Sequence, residues 1–373
     1  MRVFHFITHL DLGGAERVAA NIAASPTEGM EYHVVEIMRG GSDYTPRFIG
    51  ELRKNGVRCH RSVIPDVNWH FLVQRIAAVL FPLRMLYIML RWRPDVIHCH
   101  TETPDMCLYV FARLFPGMLR HTRIVRTIHN TRLWTGLPRL AAMVERFYCQ
   151  RNANIAISDS VRDAYAGRFG QAAPIIHNGV APVCQKPYPG LPVDRTNILF
   201  AGRLESQKGI ATLCRVIREL DATDRFHFVI AGDGSLRHLV ESTLDGGNGG
   251  KPLRNAVLVA PVYSLASYMA SFDFLFMPSE FEGLSMLSME ASMNGLPVIA
   301  NRAPGLRDTL PADWPLMADG NSEDDYRRIF LDALPACNRA ELAAKARAYA
   351  VERFSVRHMQ EEYEAVYAGR HRQ

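Results

Sequence analysis

The sequence predicts an α/β protein made of two doubly wound, Rossmann-like parallel sheets. Three observations support this fold class. Short β-branched and aromatic runs alternate with helical patterns along the whole chain, which is typical of parallel strands joined by helical crossovers. Four prolines within residues 182–192 interrupt this alternation once, and it then resumes. With 373 residues, each half is long enough to form its own core.

Strands are predicted where apolar runs are nearly continuous, because helices cover parallel strands on both faces. In the first half these runs are 3–8, 33–38, 57–60, 96–100, 124–129, 155–158 and 175–177. In the second half they are 198–201, 226–231, 256–260, 272–277 and 297–300. Helical patterns include 15–24, 105–115, 138–151 and 285–294, and the chain from 322 onward is helical with a break near 354–355.

The proline-rich stretch sets the predicted domain boundaries. We expect an N-terminal domain at 1–182, a linker at 181–192 and a C-terminal domain at 193–354. The last helix, about 355–373, is expected to pack back on the N-terminal domain. Since ligands of open α/β sheets bind beyond the carboxyl ends of the strands, the two domains should face each other across a cleft.

Charge is distributed unevenly between the two halves. Residues 1–180 contain 22 Lys and Arg against 14 Asp and Glu, whereas residues 181–373 contain 21 against 24. A basic half suits nucleic acid, an anionic membrane or a phosphorylated substrate, or is simply an Arg-rich solvated surface. The seven cysteines are scattered without a CxxC pair, and the first residues do not resemble a signal peptide. We therefore expect a cytoplasmic protein.

Residues 70–92 form the most apolar segment of the chain. Gln74, Arg75, Pro82, Arg84 and Arg91 interrupt it, so it is too short of uninterrupted apolar residues to span a membrane. Two interpretations remain open. The segment is either a crossover helix buried on the sheet or a surface that docks on lipid.

The strongest local signal is the run from Pro278 to Ala300. A strand at 272–277 and a helix at 285–294 place Glu282 in the loop between them, at the carboxyl end of a parallel strand. Glu290 follows eight residues later, ~12 Å along a helix axis. This spacing suits contacts at opposite ends of one elongated ligand. Alternatively, Glu282 is a helix N-terminal acid and Glu290 a solvated residue.

Glycine-containing loops follow other predicted strands. Gly202 allows a tight exit from the strand at 198–201, and Arg203 and Lys208 then precede a helix N-terminus. Two cations beside free N–H groups suit a diphosphate, although alone they could be surface cations. Gly13-Gly14 opens the first helix without the G-x-G-x-x-G pattern of dinucleotide binding, and Gly232-Asp233-Gly234 follows a strand of the second half.

In this order, these motifs resemble the retaining glycosyltransferases of family 4, which have the GT-B fold. The matching residues are Gly13-Gly14-Ala-Glu, Gly202-Arg203-x4-Lys208-Gly, Gly232-Asp233-Gly234 and Glu282-Gly-Leu…Glu290-Ala…Gly-x-Pro-Val. The resemblance covers nearly the whole chain and is more specific in the second half. It implies an acceptor-side first domain and a nucleotide-sugar donor domain in the second half.

The resemblance also implies roles for single residues. Arg203 and Lys208 would hold the donor diphosphate and stabilise it as it leaves. Glu282 would contact hydroxyls of the donor sugar, and Glu290 would bind the nucleotide ribose. His129 would lie beside the transferring sugar, whereas the sequence alone favours a hydrogen-bonded residue at a strand end. The remaining expected donor contacts are Gly14, Gly202, Asp233, Gly283, Leu284 and Ser285.

Two departures from the family pattern concern donor choice. Ala181 stands after His177-Asn178-Gly179-Val180, where the family often has Asp, and no sugar-specificity motif is recognisable.

Asp-x-Asp occurs nowhere in the sequence, so we expect no metal site. His98 and His100 share one strand face, and without a further ligand nearby they are interpreted as structural or acceptor-facing rather than zinc ligands.

The sequence therefore predicts a retaining, metal-independent transfer of a hexose from a UDP- or GDP-linked donor, without a cofactor. The family resemblance implies bacterial surface polysaccharide or lipopolysaccharide synthesis on a glycan or lipid-linked acceptor. Peripheral contact with an anionic membrane, at the inner face of the cytoplasmic membrane, would then be made through the basic N-terminal domain. The alternative is a catalytically degenerate GT-B protein that binds nucleotide-sugars or glycans. A nicotinamide oxidoreductase lacks its fingerprint here, and nucleic-acid binding lacks aromatic–basic interleaving.

Overall fold

The structure, a computed structural model, describes residues 1–11, 13–64, 70–134, 138–247 and 250–370, with the side chains of 70–78 left aside. The chain divides into two compact units. Unit 1 consists of Met1–Gly179 together with Val356–Gln373, and unit 2 is Val180–Ser355. Each unit contains one parallel six-stranded sheet flanked by helices. The predicted fold class is therefore confirmed.

The sheet of unit 1 has the strand order β3-β2-β1-β4-β5-β6. Its strands are β1 (Arg2–Ile7), β2 (Glu31–Glu36), β3 (Arg58–His60), β4 (Val96–His100), β5 (Arg123–Ile128) and β6 (Asn154–Ala156). Its helices in this part of the chain are α1 (Gly14–Ala23), α2 (Thr45–Lys54), α3 (His70–Trp92), α4 (Glu102–Leu114), α5 (Pro138–Cys149) and α6 (Asp159–Phe169). The order reverses direction between β1 and β4, which is the usual ligand-binding point of such a sheet.

The sheet of unit 2 repeats this topology, with the order β12-β11-β10-β7-β8-β9. Its strands are β7 (Thr196–Ala201), β8 (Phe226–Ala231), β9 (Ala256–Val259), β10 (Phe274–Met277), β11 (Val298–Asn301) and β12 (Met317–Ala318). Its helices are α7 (Ile210–Leu220), α8 (Arg237–Leu244), α9 (Met286–Met293), α10 (Glu323–Arg328), α11 (Leu334–Ala336) and α12 (Arg339–Arg353). The corresponding reversal lies between β7 and β10.

Two elements differ from the sequence-based predictions. The apolar run at 175–177 forms no strand, and Ile175 makes only an isolated bridge to Ala156. β12 was not predicted, because two residues are too few to show a pattern. The proline-rich segment at 181–192 belongs to unit 2, where the N–H groups of Lys186 and Tyr188 donate to Ser267 O and Ser271 Oγ at 2.7 and 2.8 Å.

The last helix of the chain, α13 (Val356–Tyr367), belongs to unit 1 and packs on α1. The break between α12 and α13 falls at Phe354 and Ser355, as the sequence predicts. Tyr363 and Tyr367 are buried on its inner face. Their hydroxyl groups lie 2.7 Å from Thr127 Oγ1 and His98 Nδ1, respectively. Side chains from the far end of the chain thus contact the sheet of unit 1.

A buried cluster of charged side chains connects β5 to α4 and α5. Arg126 donates to Asp105 at 2.7 Å and to both oxygens of Glu145 at 2.7 and 2.8 Å. Trp134 and Tyr165 also donate to Glu145. Burial raises the pKa of Asp105 to about 7 in spite of Arg126. Burial also acts to raise the pKa of Glu145, but Arg126 and the hydrogen bonds leave it below its ordinary value.

The helix α3 crosses unit 1 with one face in the core. Phe81, Met85 and Ile88 are buried in the hydrophobic cluster of this unit. Arg84 reaches inward and donates to the carbonyl oxygens of Glu36 and His60 at 2.6 and 2.9 Å. Within the part of the chain that the structure describes, no helix has the length and apolar character needed to cross a membrane.

Candidate active site

Two of the predicted residues meet where the strand order of unit 2 reverses. Lys208 ends a short 3-10 turn after β7, and Glu282 lies in the loop after β10. Lys208 Nζ is 2.6 Å from Glu282 Oε1, although 74 residues separate them in sequence. Because β7 and β10 are neighbours and parallel, their carboxyl ends bring these loops to the same edge of the sheet.

The Lys208–Glu282 pair is largely withdrawn from solvent. Glu282 is 7% exposed, and the Ser279 hydroxyl donates to the same Oε1 at 2.9 Å. The Glu282 backbone N–H donates to Pro304 O at 2.8 Å, so the loop is fixed at this residue. The ammonium group of Lys208 has three N–H donors, of which the contact with Glu282 occupies one. The other N–H groups of the Lys208 ammonium can therefore donate to a second anion.

Glycines allow the loops around this pair to approach each other closely. Gly209 has φ 69°, and a Cβ atom there would overlap Pro278 O. Gly305 has φ 72°, and its Cβ atom would overlap the carbonyl oxygens of Glu282 and Gly283. Any side chain at these positions would separate the loops. Gly305 was not predicted as a site residue, although the dipeptide Pro304-Gly305 after β11 is a turn signal.

Arg203 and Asp233 lie on the solvent side of the same region. Both side chains are exposed. Asp233 O accepts the N–H of Leu204 at 2.8 Å, which joins the loop after β7 to the loop after β8. Gly202, with φ 143°, lies under the Lys208 side chain, since a Cβ atom there would be 3.8 Å from Lys208 Cε. The structure thus places Arg203 and Asp233 outside the buried pair.

The predicted helix after Glu282 is α9. Ser285 is its N-cap residue, and its Oγ accepts the N–H of Ser288 at 3.3 Å. Gly283, Leu284 and Ser285 are buried. Glu290 lies on the second turn of α9 and is half-buried. The two glutamates therefore occupy the two positions that the sequence predicts, one before the helix and one on it.

In unit 1, the glycine loop after β1 leads into α1 at Gly14. A Cβ atom on Gly13 would overlap the Glu16 carboxylate, so this glycine lets Glu16 fold back over the helix start. A Cβ atom on Gly14 would meet no atom of the described residues within 4 Å, and Gly14 is exposed.

His129, directly after β5, ends a row of three hydrogen-bonded histidines. His129 Nε2 lies 3.0 Å from His100 Nδ1, and His100 Nε2 lies 3.0 Å from His5 Nδ1. These residues come from β5, β4 and β1, so the row crosses the strand-order reversal of unit 1. His98 lies beside it, with its two ring nitrogens 2.7 Å from Tyr367 OH and Thr127 Oγ1. We call these four residues the histidine cluster.

Burial holds the histidine cluster in the neutral form. It lowers the pKa of His5 and His129 to about 3. The pKa of His98 and His100 falls well below the usual value, first through burial and then through the neighbouring histidines. A neutral imidazole has one donor and one acceptor nitrogen. Each contact in the row therefore fixes which nitrogen of the next ring carries the proton.

The sequence-based expectation that no further ligand lies near His98 and His100 is wrong. His5 joins them, and one nitrogen from each of these three rings lies within 4.8 Å of the others. The sequence missed His5 because it lies on another strand. Hydrogen bonds already engage both nitrogens of His98 and His100 and Nδ1 of His5. This geometry is that of a hydrogen-bonded network.

The comparisons with known proteins identify both halves of the chain. The model for Glycosyltransferase Family 4 matches residues 12–182, and the model for Glycosyl transferases group 1 matches residues 195–332. The 2-deoxystreptamine glucosyltransferase of Streptomyces kanamyceticus is 27% identical over 299 residues, 72% of this chain and 76% of that protein. An uncharacterized glycosyltransferase of Methanocaldococcus jannaschii is 26% identical over 64% of this chain.

The matched region spans 65%, 40% and 39% of the length of three of the curated relatives. Among solved structures, that of Anabaena HepE in complex with UDP superposes with a TM-score of 0.76. It covers 99% of this chain and all of that chain at 16% identity. At this level of identity the likeness concerns the fold.

Proposed function

The chain belongs to the family 4-type glycosyltransferases with the GT-B fold, and on this premise we propose that it transfers a hexose from a UDP- or GDP-linked donor to an acceptor hydroxyl. The transfer would retain the configuration at the sugar C1 and need no metal ion. The observation that carries the proposal is the Lys208–Glu282 contact at the strand-order reversal of unit 2. A relative named as a glucosyltransferase supports the hexose.

In the proposed reaction, the bond between C1 and the diphosphate oxygen breaks as the acceptor oxygen approaches from the same face. The acceptor proton passes to the departing diphosphate. Lys208, with Arg203 at the rim, would stabilise the negative charge that builds on the diphosphate. Glu282 would bind a sugar hydroxyl while the ring carries oxocarbenium character. The 2.6 Å contact supports this division of roles, because sugar and diphosphate are neighbours in the donor.

The remaining roles are proposals of the same kind. His129 would lie beside the transferring sugar, and Glu290 would bind the ribose at the far end of the donor. Further donor contacts are proposed for Gly14, Gly202, Asp233 and the buried segment 283–285. The acceptor would be a glycan or a lipid-linked glycan of bacterial surface polysaccharide or lipopolysaccharide, used at the inner face of the cytoplasmic membrane.

The proposal can be tested with Lys208→Gln and a matched lysine variant. Lys345 also forms an ion pair, at 2.7 Å from Asp313 in unit 2, but both groups are exposed. Wild type should be stabilised against heat by the correct nucleotide-sugar and should release nucleoside diphosphate from it. Lys208→Gln should weaken donor binding about tenfold to a hundredfold, as expected for a charge-assisted hydrogen bond, whereas Lys345→Gln should bind as wild type.

Two outcomes would contradict the proposal. Equal donor affinity in both lysine variants would remove Lys208 from the donor site. Donor binding without any release of nucleoside diphosphate, with acceptors supplied, would identify a binding module instead of an enzyme.

A further inference from the structure

The outward face of α3 carries a concentration of exposed apolar side chains. Among the described residues, 13 large hydrophobic side chains are exposed, and five of them lie on this helix. They are Val79, Leu80, Leu83, Tyr87 and Leu90, each between 48% and 69% exposed. No other described helix carries more than one. We call these five residues the outer stripe.

The outer stripe is continuous along the helix. At 100° per residue, its members fall within an arc of about 100°, and they extend over about 17 Å of the axis. The opposite face, with Phe81, Met85 and Ile88, is buried in the core. A crossover helix normally presents a polar face to water. This one is apolar on both faces, so its outer stripe lacks the burial that apolar side chains favour.

Exposed arginines lie at the C-terminal end of the outer stripe. Residues 58–93 contain six arginines and one aspartate, Asp66. Arg84 is turned inward to backbone carbonyl groups, and Arg58 and Arg61 pair with Glu31 and Glu36 at 3.3 and 2.8 Å. Arg91 and Arg93 are exposed. Arg91 follows Leu90 directly and stands over the ring of Trp92, 4.6 Å from its centroid. The stripe therefore has cations at its C-terminal end.

We infer that the outer stripe docks unit 1 on an anionic lipid bilayer. The apolar side chains would enter the boundary between headgroups and acyl chains, with Tyr87 among the headgroups and the exposed arginines at the lipid phosphates. One helix face of this length is smaller than the ~800 Å² per partner of a stable protein interface. The inference rests on the proposed function only for the location of the acceptor, since docking itself requires no donor.

The test is co-sedimentation of the full chain with vesicles of phosphatidylcholine, alone or mixed equally with phosphatidylglycerol. Wild type should bind the anionic vesicles and bind neutral ones weakly. Leu83→Gln/Leu90→Gln should weaken binding at least tenfold. Arg91→Gln should weaken binding to anionic vesicles about fivefold, the factor corresponding to about 1 kcal/mol per basic residue. All changes are at exposed positions, so thermal unfolding should remain as in wild type.

The matched controls are Leu114→Gln on α4 and Met143→Gln on α5, which replace exposed apolar side chains elsewhere on unit 1. Both should bind vesicles as wild type. Equal binding by the stripe and control variants, or no binding by wild type, would overturn the inference. A wild-type dimer that the stripe variants convert to monomer would assign the stripe to a second copy instead. Release of nucleoside diphosphate in vesicle-free buffer should be unchanged in all variants, so a failed docking surface and a failed transferase give different results.

Discussion

Two substitutions of His100 should separate the positioning of His129 from general stability. His100 Nδ1 contacts His129, and its Nε2 contacts His5. The side-chain amide of asparagine lies near the place of Nδ1 in a histidine, and that of glutamine near the place of Nε2. His100→Asn should therefore keep a partner for His129, whereas His100→Gln should keep a partner for His5.

Each variant loses one 3.0 Å contact and leaves one ring nitrogen without that partner, which costs about 1–3 kcal/mol where the nitrogen is buried. The loss should be the larger in His100→Asn, because His5 is fully buried whereas His129 is half-buried. The melting temperature should fall by a few degrees in both. Only His100→Gln leaves the His129 ring without the contact that fixes its orientation and tautomer. If His129 acts on the sugar in the transition state, kcat should fall about fivefold to a hundredfold in that variant.

The assay measures release of nucleoside diphosphate, thermal unfolding and the ¹⁵N NMR spectrum of the His129 ring in the same samples. His100→Asn should retain most of the wild-type kcat and the His129 tautomer. Equal kcat in the two variants would refute the positioning argument, because the variant expected to lose more stability is the one expected to keep its activity. A changed tautomer in His100→Gln with unchanged kcat would instead show that the proposed role of His129 is wrong.

Four further predictions concern the donor site and the buried charges. Glu282→Gln removes the carboxylate beside Lys208 and should lower kcat while leaving the affinity for nucleoside diphosphate unchanged or higher. Glu290→Gln should lower the affinity for nucleoside diphosphate. If titration calorimetry shows the affinity loss in Glu282→Gln and not in Glu290→Gln, the two proposed roles must be exchanged. Activity should persist in EDTA, and a rate that is lost with chelator and restored by Mg²⁺ or Mn²⁺ would contradict metal independence. Asp105→Asn should change stability little near pH 4 and increase it relative to wild type progressively from there to pH 7 and above, because the raised pKa of about 7 means that the contribution of Asp105 to stability falls as pH rises from 3.8 to 7. Glu145→Gln should cost about 3 kcal/mol or more, since it breaks the pair with Arg126. Equal urea midpoints for the two variants at pH 6 would refute this. The pKa values of the histidine cluster are lowered in the folded protein. The free energy of unfolding should therefore fall as pH drops from 6.5 toward 3, by about 1.4 kcal/mol per histidine and pH unit. Similar urea midpoints at pH 7 and pH 5.5 would argue against buried neutral rings.

Elements and loops were predictable where the sequence contains a local pattern. Long apolar runs located eleven of the twelve strands found in the described residues. Turn residues located the loop of Glu282 and the start of α9. β12 is too short to produce a pattern, and the run at 175–177 has strand composition but only an isolated bridge. Local composition reports the preference of a segment, whereas strand formation also needs a neighbouring edge.

Contacts between distant segments were not predictable in the same way. The sequence placed Lys208 and Glu282 at carboxyl ends of strands, but not next to each other, because strand order is not written in local spacing. The same holds for His5, which reaches His100 only because β1 and β4 are neighbours. Tyr363 and Tyr367 reach β4 and β5 from more than 200 residues away. These contacts depend on which elements are neighbours in the fold. Local sequence patterns do not specify that order.

The division of unit 1 into two chain segments has a consequence for the order of events during protein synthesis. Unit 2 is one continuous stretch, and its two ends meet, since the N–H of Val180 donates to Phe354 O at 2.8 Å. All strands of unit 2 are therefore synthesised before α13. Unit 1, although most of it is synthesised earlier, cannot form its contacts with α13 until unit 2 has been synthesised. Until Tyr363 and Tyr367 leave the ribosome, His98 and Thr127 lack their hydroxyl partners, so unit 1 depends on residues synthesised after unit 2 to complete its buried contacts.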